Sequence, residues 1–291
     1  MKMMKKFLAF AILATMLASC NNEEVFDSLK DTPISVTAGV AELTTRAGYV
    51  GTTVLPTTFY LSVDQEGTNY DYTDVQIEKN GETYTPKTPM LWKDSNQTSA
   101  AVKAYTIPGS DVSVAANQGT IGGVTGSDLL GAISTTSGDV TIAGNNIALR
   151  FRHLLCKLDV TYSWGTEFNG NTTKSINSVV YSGFGTSATL NREDCTIEAN
   201  GTTGDINAYV SETISEAIFA PKTSSPKIVI IATIDGVDRE FALNITAPSD
   251  GWKSGNCYTM NVSIGGETVD APTVTATGWG SSINGGNMET E

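Results

Sequence analysis

Hydrophobic and polar residues alternate along much of this chain with a period of two, the spacing that turns one face of a β-strand toward a core. Ile34, Val36, Ala38 and Val40 share one parity, and Ser35, Thr37 and Gly39 take the other. Further strands are predicted at 58–63, 90–92 and 101–107, and the alternation is cleanest at Tyr258, Met260, Val262 and Ile264. Tight-turn dipeptides predict two hairpins, one over 70–86 turning at Asn80-Gly81 and one over 227–245 turning at Asp235-Gly236. Between 147 and 162 the parity slips: Leu149 and Phe151 lie on one count, Leu154, Cys156, Leu158, Val160 and Tyr162 on the other. A slip near His153 predicts a bulge or a bend from one sheet into another. The glycine-rich run 119–126 reads as a loop or hairpin, and no helix longer than a turn or two is expected. Many short strands between turn signals predict an all-β fold of sandwich type, and 291 residues suit two sandwiches in series, divided near 148.

The N-terminus has a different pattern. Lys2, Lys5 and Lys6 precede an apolar run from Phe7 to Leu17, a secretory signal over 1–19 that is too short to span a bilayer. It ends Leu17-Ala18-Ser19-Cys20, which looks like a bacterial lipobox with Cys20 as the lipid acceptor. No other long apolar run follows, so membrane attachment is expected only through that lipid. The acidic stretch after Cys20 resembles a surface-export signal of lipoproteins from Gram-negative anaerobes; a solvated tether is the other reading.

Composition narrows the function. The 31 acidic residues outnumber 18 basic ones, and the net charge of −13 argues against nucleic acid, whose phosphates need clustered cations. The lone histidine, His153, removes most metal and triad arrangements that would not use it, and reads as a structural residue at the bend. With Cys20 lipidated, Cys156, Cys195 and Cys257 are too odd a set for a disulfide framework. Asp64, Asp71, Asp74 and Glu78 lack the ordered spacing of a calcium loop and read as a solvated acidic edge. Trp92, Trp164, Trp252 and Trp279, with Tyr70 and Tyr72, are mostly core aromatics, with sugar stacking a lesser alternative. No constellation nominates catalytic residues, a metal or a cofactor, so an enzyme is not expected.

Several segments in order resemble the fimbrillin-like family, the subunits of type V pili. They are the lipobox at Cys20; Thr44-Thr45-Arg46-Ala47; Leu91-Trp92 followed by Val102-Lys103-Ala104-Tyr105; and Ser127-Asp128-Leu129-Leu130. The fullest is 149–158, Leu-Arg-Phe-Arg-His-Leu-Leu-Cys-Lys-Leu, followed by Ile218-Phe219-Ala220-Pro221, the segment 252–258 and Trp279. The resemblance implies two tandem transthyretin-like β-sandwich domains, over 47–148 and 149–291. It also implies a lipidated propeptide, 20–46, cut after Arg46 before Ala47 by an arginine-specific protease. That cut would remove the strand of Ile34, Val36, Ala38 and Val40 and open a groove for a strand from the next subunit. The candidate donor is 269–279, starting at Val269 and with Val274 and Ala276 on one face, although only a dozen polar residues follow Trp279. The implied partners are other fimbrial subunits in a homo- or hetero-polymer at the outer membrane and cell surface. The alternative is a lipid-anchored adhesin or tip subunit that binds host glycan or protein without polymerising.

Overall fold

The structure, a computed structural model of the chain, describes residues 28–40, 56–67, 69–168, 170, 172–221, 226–265 and 274–278. Strands dominate, in agreement with the alternation. The first are β1 (Ser35–Val40), β2 (Thr58–Asp64), β3 (Tyr72–Asn80), β4 (Thr83–Pro86) and β5 (Ala101–Tyr105). Then come β6 (Asp111–Ser113), β7 (Leu130–Ile133), β8 (Val140–Ala143), β9 (Asn146–His153) and β10 (Cys156–Trp164). β11 (Lys174–Gly185), β12 (Ser187–Asn191), β13 (Thr196–Ala199), β14 (Thr203–Asn207) and β15 (Tyr209–Ser211) follow. The last are β16 (Ile214–Phe219), β17 (Lys227–Ile234), β18 (Val237–Asn244), β19 (Asn256–Ile264) and β20 (Thr275–Gly278).

The N-terminal strands form one sheet in the order β1-β4-β3-β2-β5-β7-β9-β8, and β1 also pairs with β9. That extra pairing closes the sheet on itself around a core containing Phe59, Leu61, Ile77, Trp92, Val102 and Phe151. The C-terminal strands form a sandwich. One sheet runs β15-β16-β10-β19-β20 and the other β14-β11-β17-β18. Leu158, Val160, Phe219, Tyr181, Ile228 and Ile230 fill the larger core between them.

Phe59, Leu61 and Val63 are buried along β2, and Tyr258, Met260, Val262 and Ile264 along β19, where Thr259 and Asn261 between them are exposed. The slip near His153 marks a change of sheet. β9 ends at His153, Leu154-Leu155 cross over, and β10 enters the sandwich at Cys156. Residue 148, the expected boundary, lies inside β9. Nor does all of 47–148 stay with the first core, because β6 pairs with β12 and Val112, Val114, Val124 and Leu129 join the larger cluster.

Two local expectations need correction. Asn80 remains paired with Thr83, so the hairpin turns on Gly81-Glu82, with Gly81 alone at positive φ. At the other hairpin Asp235 and Gly236 both take positive φ, as a primed turn requires. The run 119–126 is not a loop or hairpin but holds the short helix α1 (Ile121–Gly126). Thr120 caps it, accepting the Gly123 N–H at 3.0 Å, and Val124 anchors it in the larger core. A Cβ on Gly123 would stand 2.9 Å from Gln118 Cα, so glycine serves close approach there.

Gly185, at the end of β11, is equally constrained: a Cβ there would collide with the Ala220 carbonyl oxygen, whose residue donates its own N–H to Gly185 O at 2.8 Å. Gly185→Ala is expected to destabilise the chain by about 1–3 kcal/mol. Urea unfolding checks this, and a midpoint unchanged from the parent chain would refute it.

Candidate functional site

β1 and β9 form the only parallel pair of their sheet among the described residues. β1 lies alongside β9 from Ser35↔Asn146 to Val40↔Phe151, and on its other side meets the antiparallel β4 at Val36↔Tyr84. Ile34 and Val36 are each only 4% exposed. Ala38 and Val40 are partly buried against the same core, and Ser35 and Thr37 face solvent. Burial of the two larger side chains contributes about 1.5–3 kcal/mol each. Backbone bonds extend the attachment upstream: Ile34 N–H donates to Met90 O at 2.8 Å and Asp31 N–H to Trp92 O at 2.9 Å. Asn145 Nδ2 donates to Pro33 O at 3.2 Å. Tyr70 OH donates to Asp31 Oδ1 at 2.6 Å, and that hydrogen bond holds the phenol above its ordinary pKa. The predicted removable strand is therefore a seam that completes a closed sheet.

At the opposite end of the chain, β20 pairs antiparallel with β19 from Asn256↔Gly278 to Thr259↔Thr275. Val274 is partly buried against the larger core, whereas Ala276, paired with Tyr258, is exposed. This candidate donor segment thus lies in its own chain's sheet, at an edge and with little side-chain burial. Cys20, Arg46, Ala47, Val269 and Trp279 lie outside the described residues.

A family model described as fimbrillin-like matches residues 27–279, most of the chain and all of the strands described above. The chain belongs to the fimbrillin-like family. Solved structures share the fold at low identity. A candidate cell adhesion protein of Bacteroides uniformis superposes with a TM-score of 0.59 at 18% identity, covering 86% of this chain and 99% of that one. One from Bacteroides ovatus gives 0.58 at 14%, covering 85% and 96%. The tip fimbrial protein Mfa3 of Porphyromonas gingivalis, with a C-terminal truncation, gives 0.51 at 9%, covering 86% and 100%. No curated protein matches the chain in sequence.

The other candidates in this fimbrillin-like chain take structural positions. His153 Nδ1 lies 2.8 Å from Asp128 Oδ2, with side chains 2% and 3% exposed, a pair closed to substrate. Cys156, Cys195 and Cys257 are buried and form no disulfide among the described residues, and burial raises the pKa of each thiol, away from the reactive thiolate. Trp92 and Trp252 are core residues, and Trp164 is partly buried on Phe168.

Two arrangements join residues far apart in sequence. Lys157 on β10 lies 2.9 Å from Asp159 Oδ1 and 3.1 Å from Glu216 Oε2, with Glu216 opposite Asp159 on β16. The Lys157 and Glu216 side chains are 4% and 1% exposed. On β16 Glu216 interrupts a run buried from Ser215 to Phe219, whereas β10 is buried on both faces only from Cys156 to Leu158 and exposes Thr161 and Ser163 beyond. The second arrangement brings Asp64, Asp71 and Asp74 to one cavity opposite Lys103 and Arg192, so they are not merely a solvated edge. Glu78 is not among its lining residues, and among the described residues no cluster of His, Cys, Asp and Glu is arranged to hold a metal ion.

Proposed function

We propose that this chain is a structural and adhesive subunit of cell-surface fimbriae, activated by removal of its first strand. It is exported as a lipoprotein on Cys20, cut after Arg46 by an arginine-specific protease, and joined to its neighbours by strand donation. The observation that carries this reading is β1 itself. A short segment, buried through Ile34 and Val36, fills the position between β9 and β4, with an arginine a few residues beyond its end. Its loss would leave two strands with unpaired backbone groups around an apolar slot, the surface that β-augmentation uses. Because slot and donor are different surfaces, such contacts run head to tail and build an open filament.

A second reading has its own support. β20 is used within this chain, paired to β19, which suits a tip subunit or an anchored adhesin that accepts a strand without donating one. The tip role named for the Porphyromonas gingivalis neighbour belongs to the same reading.

Brief digestion of the folded, signal-less chain with an arginine-specific protease tests both. A single cut after Arg46, read by intact mass, followed by a ladder of multimers on a native gel supports the polymerising subunit. A cut that yields capped monomers supports the tip role. Resistance at Arg46 with a stable monomer overturns strand removal.

A further inference from the structure

A cavity of about 420 Å³ opens where the outer end of the β2–β3–β5 face meets the turn between β12 and β13. That volume is in the range of small-molecule sites, which favour junctions between packed units. Its wall is built by an irregularity. Leu61 pairs with Val75 but Val63 pairs with Tyr72, so the register shifts opposite Ser62. Asp74 takes a positive φ of 50° at that bulge, and Ser62 Oγ accepts its N–H at 3.0 Å. Bulges of this kind re-aim side chains beside functional sites. Here the bulge points the Asp74 carboxylate at Arg192, with which it forms an ion pair.

The charges are fixed in pairs. Arg192 bonds Asp74, donates to Gly109 O at 3.3 Å, and lies over the Tyr105 ring at 4.9 Å from its centre. Lys103 pairs with Glu193 at 2.5 Å. Two carboxylates of the cavity have no cation partner among the described residues. Asp64 Oδ1 accepts the Glu66 N–H at 2.9 Å and Asp71 Oδ1 the Gln65 N–H at 2.6 Å, which leaves the second oxygen of each without a hydrogen bond among the described residues. The cavity thus offers two open acceptors beside two held donors. An anion is opposed by the unpaired carboxylates, and a cation by Arg192 and Lys103. A hydroxyl group both donates and accepts, so a ring of neighbouring hydroxyls satisfies both kinds of wall at once.

We propose that this cavity binds a neutral pyranose residue of a glycan, with Asp64 and Asp71 accepting from its hydroxyls and Arg192 and Lys103 donating to them. The whole cavity is present in the uncut monomer, so the site operates whether or not the chain polymerises. The test is saturation-transfer NMR and calorimetry on the folded, signal-less chain with methyl glycosides of neutral hexoses and N-acetylhexosamines. A sialoside and a lysine-containing peptide serve as charged competitors. A neutral glycoside is expected to bind in the millimolar range, and Asp71→Asn and Asp64→Asn to weaken it by about 5- to 10-fold. Both variants keep the oxygen that accepts the backbone N–H, so their melting temperatures should match the parent's. Three outcomes overturn the proposal: no transfer from any neutral glycoside at about 10 mM, binding untouched by both variants, or stronger binding of the sialoside or the peptide.

Discussion

Lys157→Met is expected to destabilise the protein by about 3–5 kcal/mol at pH 8, and by clearly less at pH 5. In the native chain one ammonium serves two carboxylates, Glu216 almost closed to water and Asp159 partly open to it. Burial raises the Glu216 pKa, the Lys157 charge pulls it back, and the result is about 7. Burial alone would lower the Lys157 pKa, but the charges of Asp159 and Glu216 reverse that, so the lysine stays charged throughout the neutral range. Removing the cation leaves Glu216 buried without compensation wherever it is ionised, and takes least where it already holds a proton. The same shift sets the pH dependence of the native chain. Glu216 binds its proton more tightly folded than unfolded, so its stabilising contribution is complete below about pH 4.5 and is lost as pH rises through about 7. Unfolding in urea across pH 5–8 should show this decline, about 2 kcal/mol in all. Glu216→Gln should flatten it and should recover much of the loss in Lys157→Met. A Lys157→Met effect equal at pH 5 and pH 8 would dismiss the assignment.

Val36→Asp is the second large effect, at least about 3 kcal/mol, because it puts a carboxylate without a partner into the N-terminal core. Val36 is 4% exposed and lies between Tyr84 and Ile147 in register. The neighbouring Thr37 faces solvent, so Thr37→Asp should stay within about 0.5 kcal/mol and serves as the control. Hydrogen exchange gives the local reading. The Val36→Asp chain should lose protection in the β9 amides that β1 covers, while the β10–β19 ladder keeps its own. Melting within about 2 °C of the parent chain would show that β1 contributes little to the closed sheet.

Period and turn chemistry made the strands legible because both act over a few residues. Tyr258 through Ile264 announce a half-buried strand by themselves, Asp235-Gly236 fixes its hairpin locally, and the slip at His153 marks the crossing between sheets. Partner choice is another matter. Nothing near Ile34 says that its strand will lie parallel to residues more than a hundred positions away, and so close a sheet. Arg192 and Asp74 are likewise brought together only by the fold. Local rules also failed where packing opposed them. Glycine's poor helix propensity hid α1, which a threonine cap and the burial of Val124 hold in place. At Asn80-Gly81 the dipeptide identified the hairpin but the pairing of Asn80 with Thr83 moved the turn by one residue.

The parallel contact between β1 and β9 has a mechanical consequence. When two adjacent parallel strands are pulled, one from its start and the other from its end, the force runs along both and every cross-strand bond is loaded together. A hairpin pulled from its open end instead parts one bond at a time. Tension between the N-terminal side of β1 and the sandwich that follows β9 therefore acts in shear on the six-residue register from Ser35↔Asn146 to Val40↔Phe151. Any strand that occupies this position in the same direction inherits that geometry, and resists extension under flow by the strength of the whole ladder.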